Sequence, residues 1–187
     1  MSKRFDVMST KMDELKILIR NAHVDDRGLF ERFFCIRELD EILGGRSIVQ
    51  INRTLTEQKG VVRGMHFQRA PNSEMKFVSC IRGEVFDVVV DLRFDSKTFL
   101  QWHSELLSPG VCKTIVIPEG FAHGFQAITN DCEMLYLHTA AYSPPDQCGL
   151  NPLDPRLGIA WPLPIKSLSE RDSAHPMIAE DYDGDWS

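Results

Sequence analysis

Short apolar runs, broken by turn residues at fairly regular spacing, follow one another through the middle of the chain. Runs of this length bounded by Gly, Pro, Asn and Asp are typical of β-strands. The candidate strands are residues 47–56, 60–68, 76–83, 84–93, 100–107, 113–118, 124–129, 132–140 and, with a weaker pattern, 149–153. So many strands within about a hundred residues predict a mainly β fold, an antiparallel β-barrel or two-sheet jelly roll.

The flanking segments follow other patterns. FCIRELDEIL (34–43) has the spacing of a short amphipathic helix that ends at Gly44-Gly45, and a second short helix is expected near residues 168–174. Residues 1–14 are polar and predict a flexible N-terminal extension, and residues 179–187 predict an acidic, solvated tail. Residues 15–178 are then expected to form one domain.

Composition narrows the classes of function. The chain has 187 residues, 43% of them hydrophobic, which is enough for one domain with a sizeable core. The formal charge of −6 argues against a nucleic-acid partner, because such binding depends on neutralising phosphates. The five cysteines form no CxxC pair, which is typical of a reducing compartment. Residues 1–20 have no long apolar core, so we expect neither a signal peptide nor a membrane span, and we expect the cytoplasm as the location.

GVVRGMHFQ (60–68) places two polar side chains in an otherwise apolar strand. Because successive side chains point to opposite faces of a strand, His66 and Arg63 should lie on different faces. They can share one pocket only if Gly64 permits a bulge, or if Arg63 crosses to a neighbouring subunit. The alternative is structural, with His66 as a satisfied core histidine and Arg63 at the rim.

IVIPEGFAHGF (115–125) raises the question of a metal. Pro118, Gly120 and His123 fit the P-x-G-x-x-H pattern with which many cupin barrels place a metal-binding histidine. Such a site needs three or four N/O ligands. The usual H-x-H is absent after His66, and Glu74 with two distant histidines is a poor ligand set, so no metal is expected.

Three further groups could carry chemistry. In CEMLYLHTAAY, Tyr136, His138 and Tyr142 fall on one face, and a tyrosine inside a barrel needs a partner for its hydroxyl. An inward Lys76 would be costly without an anion. Asp172 lies in a polar segment, where a solvated carboxylate is the ordinary expectation.

Several segments in order carry a family resemblance: DDRGLFERF, QINRT, GVVRGMHFQ, EMKFVSCIRGEVFDVVVDLR, IPEGFAHGFQ, LDPRLGIAWP and LSERD. With them, the chain resembles the dTDP-4-dehydrorhamnose 3,5-epimerases over about residues 15–178. These are metal-free cupins that act on nucleotide-linked 4-keto-6-deoxy sugars. The resemblance implies an isomerase that inverts C3, C5 or both by removing a proton next to the C4 ketone, without a cofactor. The implied conversion is dTDP-4-dehydro-6-deoxy-D-glucose to dTDP-4-dehydro-L-rhamnose, in deoxysugar and cell-surface polysaccharide (lipopolysaccharide, O-antigen) biosynthesis.

The resemblance also implies roles for individual residues. His66 would be the general base, Asp172 its orienting partner, Tyr136 the proton donor on the opposite face of the sugar, and Lys76 the group beside the C4 carbonyl oxygen. The implied substrate-binding positions are Arg27, Arg32, Gln50, Asn52, Arg63, His123, Tyr142 and Arg171. Arg27 is expected to come from the partner subunit of a strand-exchanged homodimer.

The chain departs from the family pattern around the nucleotide. Arg32 stands where a Glu usually contacts the base, Arg53 replaces a common His, Ala141 replaces a frequent Tyr, and Gln147 replaces an acidic residue. The catalytic set is intact, so the reaction type is expected to hold while the nucleotide and sugar stay open. The competing hypotheses are a single-site epimerase on a CDP- or GDP-sugar, a metal-dependent cupin enzyme, and a non-catalytic sugar-nucleotide-binding cupin.

Overall fold

The structure, a computed structural model, describes residues 3–182 and 184, and β-strands make up most of its regular elements. The elements in chain order are β1 (Phe5–Ser9), β2 (Lys16–Arg20), β3 (His23–Asp25), β4 (Gly28–Phe30), α1 (Asp40–Leu43), β5 (Gln50–Thr56), β6 (Val62–Gln68), β7 (Lys76–Arg82), β8 (Val85–Asp91), β9 (Trp102–Leu107), β10 (Lys113–Ile117), β11 (Phe121–Ala127), β12 (Cys132–His138), β13 (Gln147–Gly149) and α2 (Glu170–Ala174).

Two antiparallel sheets build the domain. One has the order β1-β2-β10-β7-β12-β5 and the other β13-β6-β11-β8-β9, while β3 and β4 form a separate hairpin. Alternate residues of both large sheets form a shared apolar core that includes Ile17, Val78, Val89, Ile115 and Phe125. The predicted mainly β, two-sheet fold is therefore confirmed.

The outer face of each sheet is covered by non-strand chain. Leu39 and Leu43 of the α1 region pack on Phe77 and Val116, outside the six-stranded sheet. Leu150, Leu157 and Ile178 of the C-terminal wrap pack on Met65 and Phe67, outside the five-stranded sheet. The central strands of both sheets are thus covered on both faces, and the C-terminal wrap brings α2 next to β6.

Three expectations about the flanks need correction. Residues 1–14 were expected to be flexible, but β1 pairs with β2 and buries Phe5; its remaining side chains are exposed, so the alternation that identifies a strand is missing. The helix expected over residues 34–43 is reduced to α1, because Phe34 and Cys35 pack against the outer core instead.

The acidic tail expected over residues 179–187 is not uniformly solvated, since the ring of Tyr182 stacks on Phe99 with centroids 6.2 Å apart. Residues 183 and 185–187 of that predicted tail lie outside the described part of the chain.

β6 contains one extra residue relative to its neighbour β11. His66 pairs with His123 and Arg63 pairs with Phe125, so three steps along β6 match two steps along β11. This is the two-against-one count of a β-bulge. Beyond the bulge the facing alternation resets, and Arg63 and His66 both point into the space between the sheets while Met65 packs in the outer core.

Within the described residues, no helix is long and apolar enough to cross a membrane.

Glycine is required at the bulge. Gly64 has φ +125°, and a Cβ there would lie 2.5 Å from Gly124 Cα and 2.8 Å from His123 O. Gly64→Ala is therefore expected to lower the free energy of unfolding by about 2–5 kcal/mol, from backbone strain and a clash with backbone that cannot move aside. Gly110→Ala is the matched control, because a Cβ at Gly110 meets nothing within 4 Å. Urea denaturation of both variants checks this; equal stabilities would contradict it.

Candidate active site

A cavity of about 700 Å³ opens between the two sheets. It receives side chains from β5, β7 and β12 of one sheet, from β6 and β11 of the other, and from α2. Ten of the predicted site residues line it: Gln50, Asn52, Arg63, His66, Lys76, His123, Tyr136, Tyr142, Arg171 and Asp172. The fold therefore gathers residues from along most of the chain into one site.

Asp172 joins α2 to the bulge of β6. Its Oδ1 lies 2.7 Å from His66 Nε2, and its Oδ2 accepts a hydrogen bond from the backbone N–H of Gly64 at 3.2 Å. Asp172 is held in place because its own N–H donates to Ser169 Oγ, which caps α2. One buried carboxylate thus fixes both the strand distortion and the imidazole that follows it.

The pair has defined protonation states. Burial works against ionisation of Asp172, but the hydrogen bond and charge of His66 and the Gly64 N–H together hold its pKa well below the usual range. Burial lowers the pKa of His66, Asp172 raises it, and the positive charges of Arg171 and Lys76 lower it again, with a net lowering. His66 is therefore neutral near pH 7. Because ionised Asp172 can only accept, Nε2 carries the hydrogen and Nδ1 is the basic nitrogen.

Arg171 approaches the same imidazole. Its Nη2 lies 2.9 Å from His66 Nε2. Both atoms are donors when Asp172 accepts from Nε2, so the approach acts as positive charge beside the ring rather than as a hydrogen bond. The Arg171 side chain is 55% exposed, which leaves it free to turn toward an anion entering the cavity.

Lys76 lies buried beside an anion, as its predicted inward position requires. Its Nζ is 3.1 Å from Glu74 Oε1 and donates to the backbone oxygen of His66 at 3.3 Å. Glu74 Oε2 in turn lies 2.6 Å from His138 Nδ1. Burial opposes ionisation of Glu74, but the hydrogen bond from His138 and the charge of Lys76 lower its pKa overall. The cavity wall therefore holds a charged lysine.

Tyr136 lies between two imidazoles on the opposite sheet from His66. His138 stacks on its ring with planes 19° apart, and His123 meets it edge-on, both with centroids 6.1 Å away. Burial raises the pKa of Tyr136, so its hydroxyl stays protonated. His123 is fixed by Asp87, with Nε2 and Oδ2 2.8 Å apart, and burial raises the pKa of Asp87. Tyr136 is thus a rigidly held phenol facing the cavity.

The mouth of the cavity is polar. Gln50 Oε1 accepts from the backbone N–H of Tyr142 at 3.0 Å, which holds that half-exposed ring at the entrance. Arg63 extends along the rim, where its Nε donates to Thr56 Oγ1 at 2.9 Å. Asn52 Nδ2 lies 3.4 Å from His138 Nε2.

Two predicted substrate-binding residues do not line the cavity of their own chain. Arg27 lies at the tip of the β3–β4 hairpin, where it is 89% exposed and pairs with Asp25. Arg32 pairs with Glu38. A single chain therefore does not bring either guanidinium to the site.

Sequence reasoning missed the use of two carboxylates. Asp87 interrupts the apolar run VFDVVVD at an inward position, a signal that a buried partner was needed. Sequence alone considered Glu74 only as a poor metal ligand and His138 only as a neighbour of two tyrosines on one strand face, whereas the structure pairs Glu74 with His138.

The candidate metal ligands are engaged elsewhere. His66 is bound to Asp172, His123 to Asp87, and Glu74 to Lys76 and His138. Over residues 3–182 and 184, no three His, Cys, Asp or Glu side chains converge in a group that could hold a metal ion.

Known proteins are similar to this chain in sequence and in architecture. The sequence model of the dTDP-4-dehydrorhamnose 3,5-epimerases matches residues 9–180. The chain belongs to the dTDP-4-dehydrorhamnose 3,5-epimerase family. The enzyme of that name from Streptomyces griseus is 40% identical over 161 residues, which cover 85% of this chain and 80% of the relative.

Other members of the family are similar to a comparable degree. The crystal structure of a dTDP-6-deoxy-D-glucose-3,5-epimerase from Legionella pneumophila, in complex with dTDP-4-keto-L-rhamnose, is 39% identical, with a TM-score of 0.88 and 92% of each chain covered. A dTDP-4-dehydrorhamnose 3-epimerase from Streptomyces niveus is 38% identical over 160 residues, 85% of this chain and 77% of the relative. The family thus includes an enzyme named for one carbon alone.

The His66–Asp172 pair can be titrated directly. Asp172→Asn is expected to lower the pKa of His66 further, because the carboxylate that favours the imidazolium is lost. NMR titration of the His66 ring protons measures this. Glu170→Gln, in the same first turn of α2, is the control and should leave the His66 pKa unchanged. A His66 pKa that rises or stays constant in Asp172→Asn would contradict the pairing.

Proposed function

We propose that this protein is an epimerase that inverts C3, C5 or both of a dTDP-linked 4-keto-6-deoxyhexose, by removing a proton next to the C4 ketone. The observation that carries the proposal is the placement of a neutral, carboxylate-bound imidazole and a protonated phenol on opposite walls of one cavity, with a buried ammonium beside them. Membership of the family and the dTDP-sugar complex of the Legionella relative support the substrate class.

Removal of the proton is the first step of the proposed reaction. His66 accepts it from carbon through Nδ1, while Asp172 holds the tautomer and stabilises the imidazolium that forms. Such general-base catalysis typically contributes about 10²–10⁴-fold to the rate. Because the pKa of His66 is lowered, the base stays unprotonated and competent near neutral pH.

Stabilisation of the enolate makes that step possible. Loss of the proton moves electrons onto the C4 oxygen, and the ammonium of Lys76 supplies positive charge there. Preorganised stabilisation of developing charge is usually the largest single term in catalysis. The substrate's own ketone accepts the electrons in this scheme.

Inversion requires a proton from the other face. Tyr136 is proposed to supply it, since β12 and β6 belong to facing sheets and the raised pKa of the phenol keeps its proton available. Arg63 and Arg171 are proposed to hold the diphosphate at the mouth, with Gln50, Asn52, His123 and Tyr142 around sugar and nucleotide.

A single-site epimerase, or one with a different nucleotide, is the second candidate. The 3-epimerase relative favours the first variant, and the altered positions Arg32, Arg53, Ala141 and Gln147 favour the second. Binding titrations with dTDP-, CDP- and GDP-sugars separate these: we expect dTDP to bind tightest, and dTDP binding with no preference would reject the usual substrate.

We further propose a homodimer in which Arg27 enters the partner's cavity. The β3–β4 hairpin exposes Val24, Leu29 and Phe30, and the edge strand β5 exposes Ile51, so both offer apolar surface for a second copy.

A cytoplasmic location is proposed as well, in keeping with five free cysteines.

Two variants separate base from donor. His66→Ala is expected to lower both deuterium exchange and inversion by about 10³-fold, because both begin with proton removal. Tyr136→Phe should reduce inversion by about 10- to 100-fold and exchange much less, since His66 can exchange the abstracted proton with D₂O and return a deuteron to the original face. NMR of a dTDP-4-keto-6-deoxyhexose in D₂O records both rates. Wild-type inversion by Tyr136→Phe would count against the donor role.

Subunit mixing tests the trans role of Arg27. His66→Ala and Arg27→Ala, each inactive alone, should recover about one quarter of wild-type activity after subunits are exchanged, because half the dimers then contain one complete site of two. His66→Ala mixed with Lys76→Ala is the control: both residues belong to the same chain's cavity, so no activity should return. Absence of recovery in the first mixture would place Arg27 outside the partner's site.

A further inference from the structure

Glu74 and His138 line the cavity, yet the proposed reaction uses neither. Glu74 lies two residues before the start of β7, and His138 ends β12 directly opposite Lys76 in the sheet. Their side chains are only 8% and 11% exposed. Burying a carboxylate and an ammonium costs free energy, which is recovered only where their geometry is good and further hydrogen bonds satisfy both groups.

The donors of Lys76 can be accounted for one by one. An ammonium has three N–H groups. One meets Glu74 Oε1 at 3.1 Å and a second meets the backbone oxygen of His66 at 3.3 Å. These two contacts fix the position of Nζ from opposite walls and leave the third donor for a group inside the cavity.

Glu74 is itself held by a directed chain of hydrogen bonds. The amide of Asn52 donates toward His138 Nε2, 3.4 Å away. With Nε2 accepting, Nδ1 carries the hydrogen and donates to Glu74 Oε2 at 2.6 Å. The other carboxylate oxygen faces Lys76. Each donor from Asn52 through His138 to Glu74 therefore meets an acceptor. Stacking on Tyr136 fixes the plane of the His138 ring.

We propose that Glu74 and His138 are positioning residues that fix the ammonium of Lys76, so that its remaining donor meets the C4 oxygen of the enolate. The proposal rests on the proposed function, and it adds two residues that act through Lys76 rather than on the substrate. It also explains why a carboxylate stands beside the reacting centre: Glu74 both compensates the buried charge of Lys76 and directs it.

The kinetic test uses an isosteric change. Glu74→Gln should lower kcat for C3 or C5 exchange by about 10- to 100-fold, because a misdirected ammonium stabilises the enolate poorly, while KM changes by less than about 3-fold. Glu133→Gln is the matched control and should keep wild-type kcat, because Glu133 lies on β12, the strand that ends at His138, but pairs with exposed Arg53 instead. Wild-type kcat in Glu74→Gln overturns the proposal.

A double variant tests the route through Lys76. In a Lys76→Gln background, Glu74→Gln should cost less than about 2-fold, since the group it positions is already gone. The full 10- to 100-fold loss in that background would mean that Glu74 acts independently of Lys76, and would overturn the proposal.

Variants at His138 provide an independent test of the proposal if Glu74→Gln fails to fold. His138→Asn retains an N–H donor near the Nδ1 position and should keep more than about a third of wild-type kcat, whereas His138→Leu should show the 10- to 100-fold loss. Equal kcat for the two variants overturns the role of His138 as the donor to Glu74.

A crystal structure of Glu74→Gln tests the position of Lys76 without a measurement of enzyme activity. We expect Lys76 Nζ to leave its position beside the His66 carbonyl; an unmoved Nζ overturns the proposal. If wild-type protein exchanges no substrate proton, the proposed reaction fails on that result, while the position of Lys76 still decides whether Glu74 holds it.

Discussion

The rest of the site depends on the two contacts of the Asp172 carboxylate. One oxygen holds the Gly64 N–H at the bulge of β6, and the other holds His66 Nε2. The bulge turns Arg63 and His66 toward the same cavity, which plain alternation along a strand forbids. Because Asp172 lies on α2, the C-terminal wrap that covers the five-stranded sheet is also what completes the site. The packing of this outer layer therefore also positions the base.

The cavity uses a single device repeatedly: an imidazole or ammonium bound to a buried carboxylate. Asp172 binds His66, Asp87 binds His123, and Glu74 contacts both Lys76 and His138. Each pair satisfies a polar group that would be costly to bury alone. A neutral base, a protonated phenol and a buried ammonium thereby line one cavity of about 700 Å³.

Features that depend on local sequence could be predicted, whereas features that depend on pairing between distant segments could not. Short apolar runs such as KFVSCIR and VFDVVVD predicted their strands, because a strand that is largely buried on both faces is a nearly continuous apolar run. β1 was missed because it buries Phe5 alone. Parity could say only that Gly64 might bend the strand; the register shift itself depends on pairing with β11. Ten of the residues that the resemblance names line one cavity, whereas Arg27 and Arg32 do not reach it within one chain.

The central claim is that His66 removes a proton from carbon next to a ketone. The most direct measurement is NMR of wild-type protein in D₂O with a dTDP-4-keto-6-deoxyhexose, following C3 and C5 separately. The account predicts that deuterium enters at C3, C5 or both, together with inversion at the carbon that exchanges. Exchange at neither carbon, with dTDP-, CDP- and GDP-linked sugars all tried, would contradict it.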